Sequence, residues 1–304
     1  MIGGRWCSVP TDSRAEAMLE SAETPGAAKT DPILVVDGFR RSFGGVVSVD
    51  VPHLEVQKGI ITSIIGPNGA GKTTLFNLLS GFDRPDHGHH FLEGQDITHW
   101  RPHKIARLGL VRTFQLTKAL AKLRVIDNVK LAAGSQRGER IWLAPLPSSW
   151  RSQERRVDQR ADALLERFGL AHMRDQYAGT LSGGQRKLLE FARALMSEPR
   201  VIMLDEPMAG VNPALSQTLM RHVESLVGDG LTVLFVEHDM DLVMGVSDWI
   251  ICLAQGKVIA EGRPRTVAGD SKVIEAYLGT GYHREHDDAS GAKRDTQPTK
   301  QVDQ

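Results

Sequence analysis

The chain has 304 residues, with 37 Lys and Arg against 37 Asp and Glu. That length supports one or two domains with a sizeable core, and the zero formal charge excludes bulk electrostatic attraction to nucleic acid or to an anionic membrane. Its two cysteines, Cys7 and Cys252, are too few and too far apart for a disulfide framework, and no apolar run approaches the ~18 residues that cross a bilayer.

In chain order, residues 1–30 are rich in Ala, Ser, Thr, Glu and Gly and lack the apolar stretch of a secretory signal, so they read as a disordered tail. Structure is expected to begin at Ile33-Leu34-Val35-Val36. Two strands, roughly 33–41 and 46–56, flank Gly44-Gly45 as a hairpin or small antiparallel sheet. Between them lies Phe43, for which two readings stand. It is either a platform for an adenine ring or part of the core of the small sheet.

Next comes a short β-branched strand, 60–65, and then Gly66-Pro67-Asn68-Gly69-Ala70-Gly71-Lys72-Thr73-Thr74. This stretch has the form G-x-x-x-x-G-K-[ST], and a helix follows it, ending near Gly81. Strand, glycine loop and helix in that order aim backbone N–H groups and a positive helix end at one point, which suits a polyphosphate. Lys72 is placed to reach the β- and γ-phosphates and the Thr73 hydroxyl to hold Mg²⁺. Farther on, His87, His89 and His90 cluster beside Asp83 and Asp86. Their spacing fits no metal-ligand pattern, so Pro85-Asp86-His87-Gly88 reads as a solvated turn.

Gln115 ends a short strand-like run, Val111-Arg112-Thr113-Phe114. Residues 116–180 are helix-rich and read as a helical subdomain inserted in the P-loop domain. Within it Leu164, Leu165 and Phe168 form a core stripe, and the Arg-rich run 151–160 is a solvated face because acids are interleaved and aromatics scarce. Leu181-Ser182-Gly183-Gly184-Gln185 then precedes a strong helix, expected over Arg186 to about Ser197. It offers an N-cap and, as a second reading, an anion site. The apolar strand Val201-Ile202-Met203-Leu204 ends in Asp205-Glu206, where α/β proteins place their chemistry. Asp205 would hold Mg²⁺ through water and Glu206 would polarise an attacking water. Another apolar strand, 232–236, ends at His238, which could contact a γ-phosphate. Strands near 249–255 and 257–260, a helix near 271–279 and a polar tail from about His283 complete the chain.

Taken in order, the P-loop, Gln115, a helical insert, Leu-Ser-Gly-Gly-Gln, Asp205-Glu206 and His238 resemble the ATP-binding cassette (ABC) ATPases over roughly residues 33–280. Leu79-Ser80-Gly81-Phe82, Val111 to Gln115, Ala209-Gly210-Val211-Asn212-Pro213, Glu237-His238-Asp239-Met240 and Ala276-Tyr277-Leu278-Gly279 look more closely like the ATPases of branched-chain amino-acid importers. The resemblance implies an α/β fold: a P-loop NTPase (RecA-like) core, 31–115 and 186–282, a small antiparallel β subdomain, and a helical subdomain at 116–185. It implies tails at 1–30 and 283–304. It puts Gln115 at the Q-loop position, with a contact to the metal, His238 at the switch position and Phe43 at the adenine position. Two cassettes would pair head to tail, each ATP lying between the P-loop of one and Ser182-Gly183-Gly184-Gln185 of the other. ATP and Mg²⁺ are the implied cofactors.

The implied partners are transmembrane permease subunits, a second ATPase chain and, indirectly, a periplasmic or extracellular binding protein, at the cytoplasmic face of the membrane. No nucleic acid is expected. A soluble cassette acting on DNA or ribosomes is the alternative. It is disfavoured by the single P-loop, the single signature and the absence of sustained heptads. A catalytically dead cassette is disfavoured by Lys72, Gln185, Glu206 and His238 all being present. The groove that receives the permease is expected along Leu116 to Val129, with some of Leu120, Ala121, Leu123 and Val125 exposed; the other reading makes all four core of the subdomain.

Overall fold

Glycines at a reversal and apolar residues on either side of it make the first unit. Pro32–Phe43 (β1) and Val46–Gln57 (β2) pair antiparallel, with Phe43 opposite Val46 across Gly44-Gly45. Residues 22–113, 119–134 and 147–278 are described by the computed structural model of the chain. Ile61–Ile65 (β3) is buried at every position, as a strand covered on both faces must be. Lys72–Leu79 (α1) follows the glycine loop. His87–Leu92 (β4) and Gln95–Asp96 (β5) then complete a four-stranded antiparallel sheet in the order β2-β1-β4-β5.

The expected turn at Pro85–Gly88 is therefore corrected: the chain is already in β4 at His87. Gly88 lies so close to Gly38 that a Cβ there would collide with backbone. His90 is fully buried, edge-on to Phe39 with ring centroids 5.2 Å apart. Asp83 and Asp86 both pair with Arg41, at 2.9 and 2.8 Å, rather than with a metal. Among the described residues no group of His, Cys, Asp and Glu could hold a metal ion by itself.

The chain continues through Pro102–Leu108 (α2), Leu110–Arg112 (β6), Val125–Lys130 (α3), Pro147–Arg167 (α4), Gly183–Met196 (α5), Val201–Asp205 (β7), Pro213–Gly228 (α6), Thr232–Val236 (β8), Met240–Val246 (α7), Trp249–Ala254 (β9), Lys257–Gly262 (β10), Pro264–Ala268 (α8) and Ser271–Leu278 (α9). Six strands make the second sheet, in the order β10-β9-β3-β8-β7-β6. All its pairings are parallel except that of β10 with β9. Alternate residues of its strands feed two cores. Ile64, Met203, Leu234 and Ile251 face the small sheet and α1, while Ile65, Leu204, Phe235 and Ile250 face the helices.

On the helical side the predicted stripe is core, Leu164, Leu165 and Phe168 being buried and Phe168 lying 6.2 Å from Phe191 of α5. The expected join between insert and core, at 185/186, falls inside α5, which starts at Gly183 and not at Arg186. The amino-terminal boundary also moves. Lys29, placed in a tail by its sequence context, is buried, because its ammonium pairs with Glu261 at 2.7 Å and lies 4.2 Å from the Trp249 ring centre. Glu261 accepts two further hydrogen bonds, from the Trp249 indole at 2.9 Å and the Gly26 amide at 2.9 Å. A buried ion pair of this kind is sustained by satisfying its remaining lone pairs. The tail expected from His283 and the part of the first tail before residue 22 lie outside the described residues.

Candidate functional site

The strands β3, β8 and β7 are neighbours, and their carboxyl ends carry the P-loop, His238 and Asp205-Glu206 respectively. A parallel sheet brings such ends to one edge, so residues more than 130 positions apart in sequence, on the order of a domain's length, share one rim.

The P-loop is shaped by what cannot fit. A Cβ on Gly66 would collide with the Leu253 carbonyl, and one on Gly71 with that of Ser48. Gly71 has φ of 99°, which L side chains resist, and it is the residue that admits the chain into α1. Pro67 accepts from the Ala70 amide at 3.2 Å, closing the loop over Asn68 and Gly69. The first amides of α1, at Lys72, Thr73 and Thr74, have no partner within the helix and so are available to an anion. Lys72 folds back, donating to the carbonyls of Gly66 at 2.6 Å and Pro67 at 2.9 Å. Burial lowers its pKa from the ordinary lysine value, against the opposing pull of the Glu206 carboxylate and Cys252. Thr73 is exposed, and Thr74 is tied to Ser48 at 2.8 Å between hydroxyl oxygens.

Asp205 is 4% exposed. One of its oxygens accepts from the Arg112 guanidinium at 2.6 Å; the other, Oδ1, is buried with no hydrogen-bond partner. Arg112 is itself held by Asn77 at 2.7 Å. Glu206 has φ of 46°, a left-handed backbone that costs a non-glycine residue about 1 kcal/mol or more. It is locked there by its own amide donating to Val236 at 3.0 Å. His238 is exposed, and its neighbour Glu237 is 1% exposed. Burial raises the Glu237 pKa, opposed by the amides of Met208 at 2.9 Å and His238 at 3.3 Å.

Ser182-Gly183-Gly184-Gln185 opens α5 as a capping box: the Gln185 amide donates to Ser182 Oγ at 3.2 Å, and the Ser182 amide to Gln185 Oε1 at 2.9 Å. Gly183 faces open space, whereas Gly184 packs against Leu215. These residues bond to one another rather than to the P-loop. Their link to the Glu206 segment runs through Lys187, whose ammonium donates to the carbonyls of Pro207 and Ala209, both at 2.6 Å. Phe43 is 49% exposed with the Arg41 guanidinium 4.6 Å from its ring centre, which removes the core reading. Gln115 lies outside the described residues. In the expected permease groove Leu120 and Ala121 are exposed and Leu123 is half-buried. Val125 is core, since it starts α3 against the helical cluster, so the exposed members of the four are Leu120 and Ala121.

Arg112, Lys187, Glu237 and Tyr277 are the site residues to which sequence reasoning gave no role. A charged residue at the end of an apolar run was the available signal for Arg112 and Glu237.

A family model for ABC transporters matches residues 49–209, and one for branched-chain amino acid ATP-binding cassette transporters matches residues 257–283. The probable branched-chain amino acid transport ATP-binding protein LivG of Archaeoglobus fulgidus is 43% identical over 247 residues, 81% of this chain and 95% of that protein. The high-affinity branched-chain amino acid transport ATP-binding protein BraF of Pseudomonas aeruginosa is 41% identical over 251 residues, 82% of this chain and 98% of that one. Among solved structures, an ATP-binding cassette of an ABC transporter in its ADP conformation superposes with a TM-score of 0.72 at 38% identity, covering 82% of this chain and 100% of that chain.

Proposed function

The chain belongs to the ABC transporter ATPase family, and we propose that it is the ATP-hydrolysing subunit that energises import of branched-chain or related amino acids. The observation that carries the residue assignment is the meeting of the P-loop, Asp205-Glu206 and His238 on adjacent strand ends. The loop of residues 66–74, through its free amides at the start of α1, and Lys72 bind the polyphosphate, and Phe43 stacks on adenine. Thr73, Gln115 and Asp205 hold Mg²⁺. Hard oxygen donors suit that ion, and the unpartnered Oδ1 of Asp205 supports the assignment. Its chemistry when bound is neutralisation of charge on the phosphate oxygens. Glu206 polarises the attacking water, and His238 contacts the γ-phosphate.

Ser182, Gly183, Gly184 and Gln185 close on the ATP of a second cassette, because one chain alone leaves the γ-phosphate half in water, where electrostatic stabilisation is weak. Closure on ATP and opening after hydrolysis then drive a pair of transmembrane permease subunits, fed by a periplasmic or extracellular binding protein. No described helix is long and apolar enough to cross a membrane. Attachment to the cytoplasmic face therefore runs through the permease, by the exposed Leu120 and Ala121 of the helical insert. The test is uptake of labelled leucine into vesicles holding the whole transporter. Uptake that needs ATP and an intact Glu206 supports the reading. A chain that hydrolyses ATP and co-purifies with ribosomes or DNA instead returns the soluble alternative.

A further inference from the structure

The last described helix, α9, reaches the P-loop. Even-numbered residues of β3 turn their backbone groups to β8, and that ladder ends at Ile64 opposite Val236, so it supplies no acceptor to the amide of Gly66. Gly66 is buried, and an unpaired donor there would carry its full desolvation penalty. The acceptor comes instead from α9: the Gly66 amide donates to the Tyr277 hydroxyl oxygen at 2.7 Å. The Tyr277 ring packs against the helical core, and Val273, one turn earlier, is buried. Burial pushes the phenol up to about 12, so it is a neutral acceptor throughout the physiological range. The carbonyl of the same glycine accepts from Lys72 at 2.6 Å. Gly66 is thus held on one side by α9 and on the other by the P-loop lysine.

We propose that Tyr277 is a positioning residue for nucleotide binding, fixing through Gly66 the point at which the phosphate loop leaves β3. The proposal rests on the P-loop reading above. It gives α9 a task in phosphate binding. Loop amides contact phosphate in ground and transition states alike, so a loosened loop loses uniform binding.

The experiment is Tyr277→Phe, which keeps the ring and removes the acceptor, assayed beside Lys72→Ala. A fluorescent ADP analogue with Mg²⁺ is expected to bind Tyr277→Phe about three- to tenfold more weakly, the range of one hydrogen bond. KM for ATP is expected to rise by the same factor, with the loss in KM rather than in kcat. Unchanged ADP affinity in Tyr277→Phe, with Lys72→Ala weakened, overturns the role of Tyr277 alone. Unchanged affinity in both overturns the P-loop reading and this proposal with it. A fall in melting temperature with KM and ADP affinity intact marks a packing residue and also overturns it. Should Tyr277→Phe not fold, amide exchange at Gly66 in the unaltered chain decides. Protection supports the bond to Tyr277, and exchange as fast as at an exposed loop amide overturns it.

Discussion

Arg112 and Asp205 form a nearly dry ion pair, 2.6 Å apart with side chains 8% and 3% exposed, at the edge of the sheet where the P-loop ends. The pair neutralises the Asp205 carboxylate before any cation arrives, and it leaves Oδ1 free for one. Removing Arg112 strands a buried charge. Arg112→Leu is expected to cost about 3–5 kcal/mol of stability, read by urea unfolding. Added Mg²⁺ with ADP should recover part of that loss by binding the folded state. Equal unfolding midpoints for both proteins would show that the pair contributes nothing.

Lys72→Ala tests the phosphate loop. Its ammonium now rests on two loop carbonyls, and in the proposed complex it moves to phosphate oxygens present in both ground and transition states. Nucleotide affinity and turnover are therefore both expected to fall. A fluorescent analogue titrated against the variant gives the answer, and wild-type affinity contradicts the assignment.

Glu206→Gln tests the chemistry. The backbone position at φ 46° is kept, and the carboxylate proposed to polarise water is lost. Phosphate release should drop by about 10²-fold or more, the range of acid–base groups, with ATP still bound. Trapped ATP should then hold two cassettes together on gel filtration. A variant monomeric in saturating ATP and Mg²⁺, alone and when mixed with a second ATPase chain from the same transporter, removes the composite site.

Much of this site is legible in the sequence because glycines, Lys72 and strand-end acids must stand at fixed spacings to make a phosphate cradle. The hairpin, β3, β7 and β8 are legible for a related reason: β-branched runs bounded by Gly and Asp leave few alternatives. What the sequence hides depends on partners distant along the chain. Lys29 looks like tail until Glu261, 232 residues later, is set beside it. Val125 looks like a groove residue until α3 packs on α5. Tyr277 and Gly66, 211 positions apart, meet because β9 carries the chain back beside β3. Local pattern fixes which face of an element is apolar, and topology decides what covers it.

His90 sets a pH dependence. Burial brings its pKa down to about 4 in the folded chain, with Asp96 and His99 acting in opposite directions. An unfolded histidine binds its proton near 6.5, so between about 6.5 and 4 the unfolded state holds more protons. Stability is therefore expected to fall as pH drops through that window, by up to about 3 kcal/mol from this residue, and to lose nothing further from it below. Melting curves from pH 7 to 4 should show the slope, and His90→Phe should flatten it. An equal slope in the variant assigns the effect to other groups.

The last prediction separates docking from folding in the helical insert. Ala121 is exposed, and its carbonyl accepts from the Gly179 amide at 3.0 Å, so the backbone there is fixed without use of the methyl group. Leu120 beside it is 48% exposed, while Val125 is fully buried. An apolar pair on a braced loop suits a short helix of the proposed permease lying against it. A charge at Ala121 stays hydrated in the free chain and is desolvated when a partner covers it, which should weaken docking by about 1–3 kcal/mol. A charge at Val125 is desolvated by folding itself. Ala121→Asp should therefore lose co-purification with the permease while melting and ATP binding stay as they were, and Val125→Asp should lose all three. If Ala121→Asp still docks, the permease sits on another face of the cassette; if it melts early, the methyl group is packed more tightly than its exposure indicates.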